Sequence, residues 1–282
     1  MKIALLSDIH GNFIALEACL QYIAENNFDG IAFLGDYITD CPYPQNTIKL
    51  VKQAMVQYKT WTIRGNRENY LINHFHNPDD DWCYGSATGS LLFTYENMTP
   101  GDIVFFEKMP IFDTIEIEGC PSFCICHGSP KNAKEKLLSD AENSKVYLDE
   151  LKSNYLFCGH SHRPFQYEYN GKYLVNCGSV GMPVNGQPKA QFTIIESINN
   201  KWIISLISIP YDISKIVNAF EQSGIYNKGF LWSKALVKEL ETGENCAGEL
   251  FIKAVEIAEK NKVNYRMEEY CWEQAAKELG VC

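Results

Sequence analysis

Side chains with metal-binding chemistry recur directly after short apolar segments of this chain. Asp8 and His10 follow the apolar run Ile3–Leu6, and Asp36 follows Ile31–Leu34. A carboxylate beside an imidazole is a suitable pair of ligands for a borderline divalent metal. An Asp-x-His triplet alone has little specificity, so the prediction of a metal site depends on what recurs downstream.

Three further apolar segments end in residues of the same kind. The residues that follow them are Asn66, His127, His160 and His162. Four of the six histidines in the chain therefore stand at such ends, which random placement would not produce, although a lone histidine is usually an ordinary polar residue. Seven nitrogen and oxygen ligands are too many for one tetrahedral zinc, and they suit two cations that share a carboxylate.

The segments between these residues predict a layered α/β fold. Apolar residues recur with helical spacing in Phe13–Asn26 and Gln45–Tyr58, so the chain up to Ile63 is predicted to alternate strand and helix. This order implies parallel strands joined by right-handed crossovers. Because strand side chains alternate with period two, we expect Asp8 and His10 to point the same way from the end of their strand.

The rest of the chain divides into a mixed part and a helical part. The predicted elements of the mixed part are a mostly helical Asn69–Tyr95, a helix with Thr99 as its N-cap and Pro100 at its first position, a strand over Ile111–Glu118, a helix over Ser144–Ser153, and hairpins that turn at Asn170-Gly171 and Asn199-Asn200. After Pro210 the strand patterns stop. Helical spacing then recurs in Ile213–Glu221, Leu231–Leu240, Glu249–Lys260 and Met267–Leu279. We expect a first domain over residues 1–210 and a helical extension over 211–282, which acts either as a cap or in oligomerisation.

Composition and charge restrict the class of protein. The formal net charge of −10 over 282 residues disfavours a general nucleic-acid binder, although it does not exclude a small phosphorylated substrate. The eleven cysteines show no paired zinc-binding spacing and are expected to be reduced thiols. No apolar run has the length of a membrane span, and the chain does not open with a secretory signal, so we expect a cytoplasmic protein without membrane partners.

Five motifs, in this order and spacing, closely resemble those of the calcineurin-like metallophosphoesterases, especially the smaller bacterial and archaeal members. They are Asp8-x-His10, Gly35-Asp36, Gly65-Asn66, His127-Gly128 and Gly159-His160-x-His162. The resemblance covers roughly residues 1–209. It implies an αββα fold, in which a β-sandwich is flanked by helices, and a centre of two metal ions that are Mn, Fe, Zn or Ni. The loop Asn176–Gly181 resembles the segment that closes this sandwich.

The resemblance also implies how the ligands are divided. Asp8, His10 and His162 would hold one metal, and Asn66, His127 and His160 would hold the other. Asp36 would bridge the two. Two cations activate water near neutral pH and neutralise the charge that develops on a phosphoryl group. The implied reaction is in-line hydrolysis of a phosphoester or phosphoanhydride without a covalent enzyme intermediate.

The chain departs from the family pattern at Arg67. Many members have a histidine here that is thought to protonate the leaving group, and others have a cysteine. Arginine is a poor general acid and an excellent phosphate ligand, so we expect Arg67 to bind substrate and to act in catalysis with Asp36 and Asn66. This favours leaving groups that are stable as anions. The alternative is that Arg67 forms an ion pair with a nearby carboxylate such as Glu68.

Other residues have two interpretations each. His74 and His76 are candidate substitute acids, but positions on the surface of a helix are the simpler interpretation. Arg64 and Arg163 lie beside metal motifs and suit a phosphate site, while Arg64 equally suits a buried ion pair. The aromatic residues of the helical region are most simply core, with nucleobase stacking as the alternative. They are Tyr211, Phe220, Tyr226, Phe230, Trp232, Phe251, Tyr270 and Trp272.

From the sequence we therefore expect a metal-dependent hydrolase of phosphoester or phosphoanhydride bonds in a small substrate. We favour a nucleotide or dinucleoside polyphosphate as that substrate. The alternatives are a generic phosphodiesterase and a protein-binding scaffold of the same fold, although the seven intact ligand positions weigh against the scaffold. A nucleic-acid substrate is disfavoured by the acidic charge, and oligomerisation through the C-terminal helices stays open.

Overall fold

A computed structural model of the protein describes residues 1–266 and 268–281. The strands are β1 (Lys2–Leu6), β2 (Gly30–Leu34), β3 (Lys59–Ile63), β4 (Phe112–Ile115), β5 (Phe123–Cys126), β6 (Tyr155–Cys158), β7 (Phe165–Tyr169), β8 (Lys172–Asn176), β9 (Ala190–Ile198) and β10 (Lys201–Ile209). The helices are α1 (Phe13–Glu25), α2 (Pro44–Gln57), α3 (Asn66–His76), α4 (Gly89–Glu96), α5 (Pro100–Glu107), α6 (Glu142–Glu150), α7 (Ile213–Ser223), α8 (Tyr226–Thr242), α9 (Cys246–Asn261) and α10 (Glu269–Leu279).

The strands form two five-stranded sheets, with the orders β10-β9-β1-β2-β3 and β4-β5-β6-β8-β7. Strands β1, β2 and β3 are parallel, as the sequence predicts. Side chains of β1 alternate between two cores because both faces of the sheet are buried. Ile3 and Leu5 meet Phe123 and Phe157 of the second sheet, whereas Leu6 lies in the core beneath the flanking helices. The predicted αββα sandwich is confirmed.

The helices after Ile209 have a core of their own that also includes earlier residues. Its buried side chains include Phe220, Leu236 and Trp272, together with Phe93 of α4 and Met182 of the loop before β9. The C-terminal helices thus pack on the first part of the chain. The division into residues 1–210 and 211–282 stays a prediction.

Several predicted elements differ from those observed. The predicted strand Ile111–Glu118 is shorter in the structure, where β4 covers Phe112–Ile115. Its partner β5 offers only four residues for pairing, so the other predicted residues do not pair with it. The helix predicted over Ser144–Ser153 is observed as α6, which begins two residues earlier, at Glu142, and ends at Glu150. Asn69–Tyr95 is only partly helical, since residues 77–88 between α3 and α4 form turns and bends.

The four predicted C-terminal helices are all observed, although several of their ends differ, and α9 begins at Cys246 and not at the predicted Glu249. α8 begins before Leu231, and Phe230 interrupts it with φ 41° and ψ −122°. The predicted start of the last helix, Met267, lies outside the described residues. The N-cap at Thr99 and both hairpin turns are confirmed. Among the helices described, none is long and apolar enough to cross a membrane.

Candidate metal centre

The predicted ligands leave their strands in an unusual backbone conformation. Asp8, His10, Asp36, His160 and His162 all have φ between 50° and 64°. The prediction that strand parity aligns Asp8 and His10 is therefore wrong in its reason, because β1 ends before them. Left-handed backbone at a non-glycine residue costs on the order of 1–3 kcal/mol and is common at functional sites. Here neighbouring backbone hydrogen bonds hold it, such as the one from Asp8 N–H to Gly35 O at 3.1 Å.

Asp8, His10 and His162 form one group of possible metal ligands. Asp8 Oδ1 lies 3.1 Å from His162 Nε2 and 3.6 Å from His10 Nε2. The two imidazole Nε2 atoms are 3.1 Å apart. Three donor atoms that converge on one buried point can coordinate a single cation, and this set matches the one that the resemblance implies.

Asp36, His127 and His160 form a second group beside the first. Asp36 Oδ2 lies 3.1 Å from His127 Nε2 and 3.6 Å from His10 Nε2. Asn66 Oδ1 is 3.2 Å from His127 Nε2. All seven predicted residues are thus brought together, with Asp36 between the two groups. Their binding of metal stays a prediction.

The hydrogen bonds of the histidines fix which ring nitrogen faces the site. His162 Nδ1–H donates to Met182 O at 2.6 Å, and His127 Nδ1–H donates to Leu34 O at 2.8 Å, because a carbonyl can only accept. His160 donates from Nε2 to Lys134 O at 3.0 Å. The other nitrogen of each ring keeps its lone pair for a cation, which is the usual arrangement of metal-bound histidine.

Asp8 provides the sharpest test of whether a cation fits. Its Oδ2 accepts hydrogen bonds from Ser7 Oγ at 2.7 Å and from His160 N–H at 2.9 Å. Its Oδ1 is buried and has no hydrogen-bond partner within the described part of the chain. A buried carboxylate oxygen without a partner is costly. A cation at this point would satisfy it, so the residues fit a metal.

The charges of the site act on the histidines in opposite ways. Burial lowers the pKa of His10, but the neighbouring carboxylates of Asp40 and Asp8 outweigh it and raise this pKa to about 10. Burial also opposes the charge on His127, whose pKa Asp36 and Asp8 raise to about 9. Burial lowers the pKa of His160 to about 4. Carboxylates that draw protons onto His10 and His127 would equally attract a metal cation.

Asp40 is a central residue that the sequence analysis missed. Its Oδ2 lies 3.0 Å from His10 Nδ1 and 3.1 Å from Arg67 Nη2. Its Oδ1 accepts from Trp232 Nε1–H at 2.9 Å and from Ser90 Oγ–H at 3.3 Å. Burial raises the pKa of this carboxyl, but Arg67 and His10 hold it well below its usual range. The ionised Asp40 therefore orients His10 so that Nε2 faces the metal site.

Arg67 forms an ion pair with a nearby carboxylate, as the alternative interpretation held, but this carboxylate is Asp40 and not Glu68. Glu68 is instead buried and accepts backbone N–H groups of Gly65, Asp36 and Tyr37, each at 2.8 Å. The Arg67 side chain keeps 21% of its surface exposed and lines the cavity above the ligands. Its side chain has no other hydrogen bond or ion pair to described residues, so further guanidinium N–H groups remain for a ligand.

Glycines allow the two loops that carry Asp36 and Asn66 to approach each other. Gly35 has φ 89°, and a β-carbon on it would collide with the backbone of Gly65. A β-carbon on Gly65 would collide with the Asp36 carboxylate. These contacts give a physical reason for the glycine that precedes each ligand.

The remaining candidates lie outside the ligand cluster. Arg64 donates to Asn69 Oδ1 at 2.7 Å and to the carbonyls of Glu107 and Met109, so its guanidinium already has protein partners, and it forms no ion pair with a described carboxylate. Arg163 is exposed. His76 lies on the helix surface as expected. For His74 that expectation is wrong, because it is buried against Trp82 and is 2.6 Å from Asp80 Oδ1.

A cavity of about 430 Å³ lies over the ligands, with His10, Asp36, Asn66, His160 and His162 in its lining. The cationic side chains that line it are Arg67, Lys134, Lys136 and Arg266. The C-terminal region supplies the aromatic side chains Trp232, Phe251, Tyr265 and Trp272. Some aromatic residues of the helical region therefore belong to the core, and others face the cavity. Phe220 is core, whereas Phe251 faces the cavity.

Comparison with known proteins agrees with this geometry. The profile of the calcineurin-like phosphoesterase superfamily domain matches residues 1–200. The chain belongs to this superfamily. Membership supports a metal-dependent phosphoesterase activity, and the family's dinuclear centre agrees with the two groups of His and Asp ligands.

Individual relatives match three quarters or more of the chain. An uncharacterised protein of Methanocaldococcus jannaschii is 29% identical over 233 residues, which cover 76% of this chain and 89% of that protein. A hypothetical protein from Pyrococcus horikoshii has a similar fold, with a TM-score of 0.74, 21% identity, and coverage of 86% of this chain and 98% of that chain. A metallophosphoesterase from Sphaerobacter thermophilus gives a TM-score of 0.68 and 22% identity over 86% of this chain and 99% of its own.

Proposed function

We propose that the protein uses a dinuclear metal centre to hydrolyse phosphoester or phosphoanhydride bonds of a small substrate. A nucleotide or dinucleoside polyphosphate is the class that we favour. The observation that carries this proposal is the position of the seven candidate ligands beneath a cavity lined by cations and aromatic rings. The metals, when bound, would activate water and neutralise charge on the phosphoryl group.

The protein's own groups would divide the work as follows. Asp8, His10 and His162 would hold one metal; Asn66, His127 and His160 would hold the other; and Asp36, which lies between the groups, would contact both. Arg67, held by Asp40 at 3.1 Å, would donate its free N–H groups to a phosphate oxygen. Because arginine does not release a proton, this arrangement favours leaving groups that are stable as anions, including nucleotide phosphates.

The enclosure of the site supports a small substrate. The C-terminal helices and the segment 77–88 both contribute to the cavity lining, so a long polymer has less access than a compact molecule. The net charge of −10 also disfavours nucleic acid. All ten cysteines among the described residues are free thiols, which supports a cytoplasmic location. Association through the C-terminal helices stays a prediction, which light scattering would test.

The test is hydrolysis by the purified, metal-stripped protein with and without added Mn²⁺, Zn²⁺, Ni²⁺ or Fe²⁺. The substrates would be p-nitrophenyl phosphate, bis-p-nitrophenyl phosphate, ATP and diadenosine tetraphosphate. We expect metal-dependent cleavage that prefers the nucleotides. Asp36→Asn should lose activity, while Asp29→Asn, an exposed acid far from the cavity lining, should keep it. Cleavage of the aryl diester alone would favour a generic phosphodiesterase, and inertness with metal bound would favour a scaffold.

A further inference from the structure

Trp82 is held rigidly although it lies in a segment without helix or strand. The His74 ring stacks on it with 4.1 Å between centroids and 5° between planes. His74 is in turn buried, 2.6 Å from Asp80 Oδ1, and in edge contact with Tyr95 at 4.5 Å. His74 covers one face of the indole. Trp82 is half-buried, and its remaining surface includes part of the cavity lining.

A second group of rings lines the same cavity from the C-terminal region. Phe251 and Tyr265 meet edge to face with 5.6 Å between centroids. Buried Trp272 contacts both rings, and its indole N–H donates to Tyr265 O at 2.9 Å. Phe251 nevertheless leaves 40% of its surface exposed. Fixed aromatic surface that faces a cavity is available to pack against a ligand.

These rings connect to the candidate metal centre through a short series of contacts. His10 bonds Asp40, Asp40 bonds Trp232, and Trp232 meets Trp272 with 6.3 Å between centroids. The cavity therefore joins the candidate ligands and cationic side chains to a group of aromatic rings, with Arg266 next to Tyr265. Such a cavity suits a molecule with a phosphoryl group at one end and a flat ring at the other.

We propose that Trp82, Phe251 and Tyr265 form a subsite for the base of a nucleotide whose phosphate lies at the metal centre. This inference rests on the proposed function and deepens it. Arg266 lines the same cavity and carries hydrogen-bond donors, which suit the ring nitrogens and carbonyls of a base better than a plain phenyl ring. In this assignment His74 is a positioning residue that backs Trp82.

Ligand binding, measured with hydrolysis monitored in parallel, tests the subsite. Calorimetry of the Mn²⁺-loaded protein would compare AMP, ribose 5-phosphate, phenyl phosphate and inorganic phosphate. We expect AMP to bind at least about tenfold more tightly than ribose 5-phosphate, because only AMP carries a base that can stack on the aromatic rings. AMP should also quench tryptophan fluorescence. Equal affinities for AMP and ribose 5-phosphate would overturn the proposal, and phenyl phosphate that binds as tightly as AMP would overturn the assignment to a base.

Variants separate the subsite from the metal centre. Phe251→Leu and Trp82→Leu should each weaken AMP binding about tenfold and leave ribose 5-phosphate binding unchanged. Tyr270→Leu is the matched control, since Tyr270 is 42% exposed on α10 and does not line the cavity. Exposed Phe251 is replaceable without loss of core, so the test survives if Trp82→Leu misfolds. Base-selective binding without hydrolysis would reject the proposed function alone, and hydrolysis without base selectivity would reject the subsite alone.

Discussion

The indole N–H of Trp232 donates a hydrogen bond to Asp40 Oδ1 across 2.9 Å, although the two residues are 192 positions apart in the sequence. The other oxygen of Asp40 lies 3.0 Å from His10 Nδ1. One carboxylate thus joins the C-terminal helix α8 to a candidate metal ligand. The orientation of His10 therefore depends on Asp40, which is itself held by Trp232. Trp232 belongs to the C-terminal residues that line the cavity, and we call these residues its roof. They are Trp232, Phe251, Tyr265, Arg266 and Trp272.

The substitution Asp40→Asn should weaken metal binding more than the substitution Trp232→Phe does. The amide is a weaker partner for His10 Nδ1–H, so we expect Mn²⁺ affinity to fall about 10–100-fold, as for other partners of metal-bound histidine. Trp232→Phe removes one donor to Asp40 and leaves the carboxylate in place, and should change this affinity much less. Calorimetric titration of Mn²⁺ into both variants would measure it, and equal losses would contradict the assigned role of Asp40.

Arg67 should act on phosphate binding through its free guanidinium N–H groups. Arg67→Lys keeps the charge near Asp40 but loses the forked donor geometry, and we expect kcat/KM for a nucleotide substrate to fall about tenfold or more. Arg64→Lys is the control, because Arg64 bonds Asn69 and backbone carbonyls away from the cavity. Steady-state kinetics would decide. Unchanged kcat and KM in Arg67→Ala would show that this side chain serves Asp40 alone.

Two lysines should matter for substrates with several phosphates. Lys134 and Lys136 line the cavity, and neither forms an ion pair with a described carboxylate, whereas nearby Lys131 and Lys145 pair with Glu150 and Asp140. Alanine at both cavity positions should raise KM for ATP or diadenosine tetraphosphate about tenfold.

The same pair of changes should alter KM for p-nitrophenyl phosphate by less than about twofold, because that substrate carries one phosphate. Lys131→Ala with Lys145→Ala is the matched control and should leave both substrates unaffected. Equal effects of the two double variants would show that general charge, not position in the cavity, determines the result.

Glu239 should make stability fall as pH rises. It is buried on α8, accepts Ala247 N–H at 3.1 Å, and burial raises its pKa to about 8. Between the unfolded value near 4.3 and about 8, the folded protein keeps a proton that the unfolded chain has lost, so the free energy of unfolding decreases with pH.

Glu239→Gln removes this titration and resembles the protonated side chain. We expect it to be more stable than the wild type by an amount that grows with pH and reaches on the order of 4–5 kcal/mol at pH 8. Urea unfolding at several pH values between 5 and 8 would measure the difference. A gap that does not depend on pH would mean that Glu239 is ionised in the folded protein.

Metal removal should destabilise the protein through Asp8. A bound cation would satisfy the buried Asp8 Oδ1, and a ligand at a hundred times its Kd adds about 2.7 kcal/mol to the free energy of unfolding. We expect Mn²⁺ to raise the melting temperature of the stripped protein by roughly 5 °C. Asp8→Asn should lose most of this rise, and Asp29→Asn should keep it. A rise of the same size in both variants would contradict the role of Asp8.

The ligands could be found in the sequence because each is a local signal. An apolar run marks a buried strand, and the residue types that follow it reveal the chemistry, so Asp8, His127 and His160 needed no tertiary information. The backbone that aims them was not predictable in this way. Parity of the strand suggested that Asp8 and His10 align, and they do converge, but through left-handed residues held by contacts with the Gly35 loop.

Asp40 and Trp82 could hardly be predicted as site residues from the sequence. Asp40 had one signal, its place four residues after Asp36, and its partners come from α3, α4 and α8. Trp82 lies among polar and acidic residues, inside the segment Asn69–Tyr95 that is predicted to be mostly helical. Its importance follows only from His74 and the cavity. Such residues depend on which distant segments meet, and hydrophobic periodicity carries no information about that.

The seven candidate ligands, which form the floor of the cavity, and the residues of the roof come from different parts of the chain. The seven candidate ligands all lie before residue 163, whereas Trp232, Phe251, Tyr265 and Arg266 all come after residue 231. Substitutions in the roof can therefore change which molecule is admitted without altering the groups that would perform the chemistry. In a superfamily of this design, changes in the last helices can lead to new substrates while the candidate metal ligands stay the same.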